Sequence, residues 1–371
     1  MILGIDSSTM LETREAGARY FVSGEEVEPI SYMHDHNGVS LLRLRLWMNP
    51  YDEQGRPYGG GTVDYPSFVK MAKEGMEKGY KILLDFHYSD FWCDPSKQFL
   101  PKAWRDFTID QAVEGIYEYT KKTLTDIQKD GIVLDSVQIG NEITNGMLWP
   151  LGKLTPNPDG KRGNYESLIR LLKAGVKAAR EVMPKTRIII HLEKSGDQAT
   201  YREFFDEVSA AKLDFDIIGV SFYPYWHGTF DMVFDNIDAI KARYQKPVWI
   251  VETSYGFTTK ASTHLHETFV PLLSDNLLSQ DNVYAPYPIT LEGQLAFTKE
   301  LFKRAKEHDV GAIIWWEPFW LPLAGLTWAT KIGEEYTHET DKPTNNEWAN
   351  QCLFDYEGNA TPAFFEYRLK I

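Results

Sequence analysis

Asp135-Ser136-Val137-Gln138-Ile139-Gly140, followed by Asn141-Glu142 and a long polar run to Asn164, reads as a strand emptying into a loop. On its N-terminal side only Lys129-Asp130-Gly131 separate it from a helical pattern over Ile109–Lys129. After the loop, Tyr165–Val182 places Leu168, Leu171, Leu172, Val176 and Ala179 on one face at a 3.6-residue period. A short entry, a β-rich strand, a long polar exit and an amphipathic helix make one unit of a parallel β/α fold. The unit recurs along the chain. Strands are predicted at Leu3–Asp6, Ser40–Trp47, Lys81–Phe86, Asp135–Gly140, Arg187–His191, Asp216–Phe222, Val248–Glu252 and Ala312–Trp316. Further helices are predicted at Pro66–Lys78, Ala199–Ala211, Phe230–Tyr244 and Leu291–Glu307. Eight alternating strands suit a closed (β/α)8 TIM barrel, taken as a single unit over residues 1–371. An open doubly wound sheet would carry a glycine-rich phosphate loop after its first strand, and Gly4-Ile5-Asp6-Ser7-Ser8 is not one.

The long loops all leave the strands: Tyr88–Asp106, Asn141–Asn164, Ser254–Thr290 and Glu317–Pro362. In such barrels the catalytic face is built from these exits. Lys+Arg 39 against Asp+Glu 53 gives a net charge of −14, which argues against a phosphate backbone or an anionic membrane as partner. No apolar run approaches the ~20 residues of a spanning helix. Aromatic residues make up 14% of the chain, and several sit in these loops, where flat rings suit the apolar faces of sugars. Cys93 and Cys352 are too few for a disulfide scaffold or a zinc knuckle and are expected to be free.

Two carboxylates end predicted strands: Glu142 after strand four and Glu252 on strand seven. Either alone reads as a strand-end charge in an ion pair. Together at one barrel mouth they match glycosidic bond hydrolysis, where one carboxyl protonates the leaving oxygen and the other attacks or activates water. Asn141 sits where the chain turns out of the barrel and could hold a sugar hydroxyl. In Leu42-Arg43-Leu44-Arg45-Leu46-Trp47 both arginines share one face, and a buried one needs a carboxylate. Arg45, nearer the strand end, is the expected partner of a catalytic carboxylate. His87 follows strand three as a core or lining residue. Tyr223, Trp226 and His227 form an aromatic cluster after strand six, and Trp316 ends strand eight as a sugar platform.

Several runs resemble glycoside hydrolase family 53, the endo-β-1,4-galactanases. They are Arg43-Leu44-Arg45-Leu46-Trp47, Leu84-Asp85-Phe86-His87-Tyr88-Ser89-Asp90-Phe91-Trp92, Gln138-Ile139-Gly140-Asn141-Glu142, Asn145-Gly146-Met147-Leu148-Trp149-Pro150, Tyr223-Pro224-Tyr225-Trp226-His227-Gly228 and Trp316-Glu317-Pro318. Asn350-Gln351-Cys352-Leu353-Phe354-Asp355 also fits, so the resemblance spans essentially the whole chain. It implies a retaining endo-acting hydrolase of β-1,4-galactan and type I arabinogalactan, with Glu142 as acid/base and Glu252 as nucleophile. Arg45, His87, Asn141 and Tyr223 would form the polar shell, Trp316 would lie at the cleaved sugar, and Trp92, Asp94 and Trp149 would line neighbouring subsites. Some bacterial members hold calcium in the loop after strand seven. Here Thr258–Glu267 offers one Glu, no Asp and a lysine, against the six to eight oxygens calcium wants, so no metal and no cofactor are expected.

The resemblance also implies secretion. Met1 directly precedes the first strand, so an extracellular or cell-surface enzyme would have lost a leader. A monomer acting on a polysaccharide is expected. Rival readings are an endoglucanase or endomannanase of the same clan, a silent carbohydrate-binding barrel, which would not require both glutamates, and a lyase or aldolase, for which no strand-end lysine is present. Strands four and seven facing one mouth predict carboxyls roughly 5–5.5 Å apart, the retaining spacing.

Overall fold

A computed structural model describes residues 1–157, 161–262, 271–339 and 345–368. Eight parallel strands close into a barrel in chain order: β1 (Ile2–Asp6), β2 (Leu41–Leu46), β3 (Lys81–Phe86), β4 (Leu134–Ile139), β5 (Arg187–Leu192), β6 (Ile217–Phe222), β7 (Val248–Thr253) and β8 (Ala312–Trp316). Closure is made by β1 on β8, paired from Ile2↔Ala312 to Asp6↔Trp316. Around them run α1 (Pro29–Asn37), α2 (Tyr65–Glu77), α3 (Ile109–Lys129), α4 (Tyr165–Val182), α5 (Gln198–Ala210), α6 (Phe230–Tyr244), α7 (Leu291–Glu307) and α8 (Pro362–Glu366). None of the helices in the described residues is long and apolar enough to cross a membrane.

The predicted strands match those observed to within a residue or so at each end. Two barrel helices, α1 and α8, are absent from the sequence reading. Helix α1 is short and polar, with Ser31, His34, Asp35 and His36 among its nine residues, which dilutes the periodic signal. Its terminal signals are nonetheless present: Pro29 in the first turn, and Gly38 closing the helix at φ 71°. Helix α3 starts with a capping box, in which the Thr108 hydroxyl accepts from Gln111 N–H and the Gln111 side chain accepts from Thr108 N–H.

Most of the core lies between strands and helices. A separate plug fills the lower barrel: Leu41, Leu83, Ile189, Ile217, Trp249, Val251, Ala312 and Ile314. One period-two step up, the same strands offer Arg43, Asp85 and His191. The floor is therefore apolar and the layer above it ionic, and that places the polar site at the C-terminal ends of the strands.

Candidate active site

Two strand-end irregularities aim the carboxylates. On β7 the pairing with β6 steps from Val220↔Ile250 to Ser221↔Glu252, skipping Val251. This bulge lets Val251 join the interior plug while Glu252, the next residue, also faces inward. At the end of β4, Gly140 (φ 85°) and Glu142 (φ 48°) adopt left-handed backbone conformations, which fold the chain back over the mouth. One carboxylate oxygen of each glutamate and a ring nitrogen of His191 lie within 4.8 Å of one another.

The two carboxyls have different neighbours. Glu252 Oε1 lies 2.8 Å from Arg43 Nη2, and Tyr223 Oη donates to Oε2 at 3.2 Å. Glu142 Oε1 accepts from Ser221 Oγ at 2.6 Å and, among the described residues, pairs with no guanidinium. Burial, reinforced by Glu252 and Glu193, holds the Glu142 carboxyl well above the ordinary carboxylate range. Burial also raises Glu252, to about 7, but Arg43 opposes that rise. Of the two, Glu142 therefore holds a proton the more tightly, while Arg43 and Tyr223 favour the charged form of Glu252.

Arg43 is fully buried at the hub of this layer. It contacts Asp6 Oδ2 (2.8 Å), Asp85 Oδ2 (2.9 Å) and Asn141 Oδ1 (2.8 Å) besides Glu252. Arg45, expected to neutralise a catalytic carboxylate, instead pairs with Asp6 Oδ1 (3.0 Å) and Glu317 Oε1 (2.8 Å). Position along the strand does not measure reach. The deeper arginine extends across the barrel to β7, whereas Arg45 leans to the β1–β8 seam. There its guanidinium lies under Trp92 and Trp316, 4.7 and 5.4 Å from the ring centres.

His87 Nδ1 accepts from Trp47 Nε1 (3.2 Å) and Cys93 N–H (3.1 Å), so Nε2–H donates to Asp85 Oδ2 at 3.1 Å. Burial keeps this imidazole neutral by lowering its pKa. His227, lowered to about 4 by burial, is likewise neutral beside Ser221 O.

A cleft of about 450 Å³ opens above these groups, lined by Arg45, His87, Trp92, Asp94, Asn141, Glu142, Tyr223, Trp226, His227, Glu252 and Trp316. Lys97, Trp328, Glu339 and Trp348, which the sequence reading did not single out, share the lining. Trp92 and Trp328 stack at 5.4 Å with rings 10° apart, and Trp316 meets Trp348 edge-on at 4.9 Å. Trp226 is 40% exposed. Trp149, expected at a subsite, is not among the lining residues. Its indole donates to Asn145 O and lies under Lys153. His191 and Ser221 were also passed over, although each is a polar residue inside a β-branched strand, where an inward register would place it at the mouth. Cys93 and Cys352 are free and buried.

The Glu142, His191 and Glu252 cluster is poorly made for a metal. Both His191 nitrogens have hydrogen-bond partners, and a cation there would lie beside Arg43. Of the run Thr258–Glu267 considered for calcium, 263–267 lie outside the described residues.

The sequence model of glycosyl hydrolase family 53 matches residues 2–366. This chain belongs to that family. Among curated relatives of this family 53 chain, the arabinogalactan endo-β-1,4-galactanase of Cellvibrio japonicus is 30% identical, over 99% of this chain and 90% of its own length. The endo-β-1,4-galactanase of Bacillus subtilis is 29% identical, over 99% and 85%. Among solved structures, the family 53 catalytic domain of Ignisphaera aggregans superposes with a TM-score of 0.86 at 36% identity, covering 99% of this chain and 95% of that one.

Proposed function

We infer that this family 53 glycoside hydrolase is a retaining endo-β-1,4-galactanase that cuts internal bonds of galactan and type I arabinogalactan. The observation that carries the reading is the pair of carboxyls with one oxygen of each within 4.8 Å, of which, among the described residues, only Glu252 is paired with a guanidinium. That spacing leaves no room for a water between carboxylate and sugar, which supports direct attack. Glu142 gives its proton to the glycosidic oxygen as Glu252 attacks the anomeric carbon, and the carbon–oxygen bond to the leaving sugar breaks. The ester consumes the charge of Glu252. Glu142, now a carboxylate, takes a proton from water while the water oxygen displaces Glu252 from the sugar. The β configuration is inverted twice and so restored.

Arg43 and Tyr223 keep Glu252 ionised and oriented, and Asn141, His87 and His227 support them. Trp316 lies under the cleaved sugar, with Trp92, Trp226 and Asp94 at its neighbours. Proton transfer and displacement by two carboxyls need no cofactor. The same reading takes the chain as one catalytic (β/α)8 unit working as a monomer. A polymeric substrate implies an enzyme acting outside the cell or at its surface. Proton NMR of the first products from galactan tests the reading: the β-anomer must appear first. Initial α-anomer defeats double displacement, and release of reducing ends from cellulose or mannan in preference to galactan defeats the substrate.

A further inference from the structure

The acid/base carboxyl is held by a directed chain of hydrogen bonds that the two-step reaction does not itself require. Ser221 Oγ on β6 lies 2.6 Å from Glu142 Oε1 and 2.8 Å from His191 Nε2 on β5. A serine has one proton to give, so the polarity of the chain depends on which nitrogen of His191 carries hydrogen. The donor that faces Nδ1 is the Glu142 backbone N–H at 3.4 Å; the Gln138 side-chain amide also lies 3.1 Å away, but one of its hydrogens goes to Asp85 Oδ1 at 2.6 Å. Asn141 Oδ1, 3.0 Å from Nδ1, is the competing acceptor, but its two lone pairs already face Arg43 Nη2 at 2.8 Å and Gln138 Nε2 at 3.2 Å. A backbone N–H can only donate, so Nδ1 accepts and Nε2 carries the hydrogen. His191 Nε2–H then donates to Ser221 Oγ, and Ser221 O–H donates to Glu142 Oε1.

We propose that His191 and Ser221 form a positioning pair that reserves Glu142 Oε1 as an acceptor and keeps the transferable proton on Oε2. The inference rests on Glu142 being the acid/base. With Oε1 always accepting, the proton leaves from and returns to one oxygen in both half-reactions, and Glu142 need not reorient between acting as acid and as base. Ser221 also stabilises the carboxylate form, so it matters most in the second step, when Glu142 is the base. His191 takes no part as a cation: burial, aided by Arg43, holds it neutral. Facing Glu142 are Glu252 from β7, Glu193 after β5, Asp94 after β3, Tyr223 after β6 and Tyr201 on α5, and His227 faces His191. The three carboxylates oppose the charged form of Glu142, whereas Ser221 donates to it.

The sign follows. Removing a donor to the carboxylate raises the pKa of Glu142. In Ser221→Ala the basic limb of kcat/KM on galactan should therefore move up by about one pH unit, the size of a hydrogen bond to a charged group. A dinitrophenyl β-galactobioside needs no acid for its leaving group, so its turnover reports the base step. That step needs Glu142 ionised in the galactosyl-enzyme, so the acid limb of kcat should move up by about the same unit. At a fixed pH below it kcat should fall about tenfold, with KM falling too as the ester accumulates. Ser221→Thr, which keeps the hydroxyl, should restore both. In wild-type enzyme labelled with 15N-histidine, the His191 signals, assigned by their loss in His191→Gln, should report the Nε2–H tautomer. The Nδ1–H tautomer, or an unmoved limb in folded Ser221→Ala, overturns the pairing. Full activity in Glu142→Gln would instead defeat the acid/base assignment itself, so the two failures are distinguishable.

Discussion

Replacing Arg43 by lysine tests which cation sets the charge of Glu252. The guanidinium reaches Asp6, Asp85, Asn141 and Glu252, all at 2.8–2.9 Å. A lysine ammonium keeps the charge but is a compact point on a shorter reach, so it cannot span β1, β3 and β7 at once. We expect the Glu252 contact to be lost, since it lies across the barrel. A hydrogen bond between ionised partners contributes roughly 1.5–3 kcal/mol, which corresponds to about one to two pH units on the carboxyl it stabilises. Arg43 favours the ionised form, so its loss raises the pKa of Glu252 further above the ordinary range. The nucleophile must be ionised, and so the acid limb of kcat/KM on galactan should move upward by that amount. At a fixed pH below the new limb, activity should fall about 10- to 100-fold. Part of it should return on raising the pH, until Glu142 begins to lose its proton. Arg45→Lys is the control: it disturbs Asp6, Glu317 and the Trp92–Trp316 seat and should change KM before it changes the acid limb. A limb that moves in Arg45→Lys and stays put in Arg43→Lys would refute the assignment of the hub.

Glu142→Gln and Glu252→Gln should each abolish most galactan hydrolysis while circular dichroism and the thermal midpoint stay close to wild type. Near-wild-type turnover in either removes that residue from the mechanism. Trp226→Ala removes a ring that is 40% exposed at the cleft, so it should leave the fold intact and raise KM for galactan by about two- to tenfold, in line with about 0.5–1.5 kcal/mol for a ring contact; an unchanged KM places the polymer elsewhere. Exhaustive chelation should leave activity and melting temperature nearly unchanged, because Thr258–Glu267 carries one Glu, no Asp and a lysine. A large fall in melting temperature reversed by calcium would refute that.

The eight strands and six of the helices were legible because each is written locally, as a β-branched run or a 3.6-residue period bounded by turns. Glu142 and Glu252 were legible for the same reason: a carboxyl at the end of a strand is a feature of a few consecutive residues. Even the closed barrel could be read, from the count of β/α units and the asymmetry of their loops. Choosing between Arg43 and Arg45 could not be done this way. The two share a face and differ by one period, and what separates their partners is that β1 meets β8 and that β7 stands across the barrel from β2. The bulge that turns Glu252 inward after Val251 exists only in the pairing of β7 with its neighbours. His191 and Ser221 are 30 residues apart and become partners only because β5 and β6 lie side by side. Backbone propensity and hydrophobic period act over a handful of residues, so they are visible in a linear sequence. Charge pairing and proton direction act through space, and they are decided only once closure has chosen which side chains share the mouth.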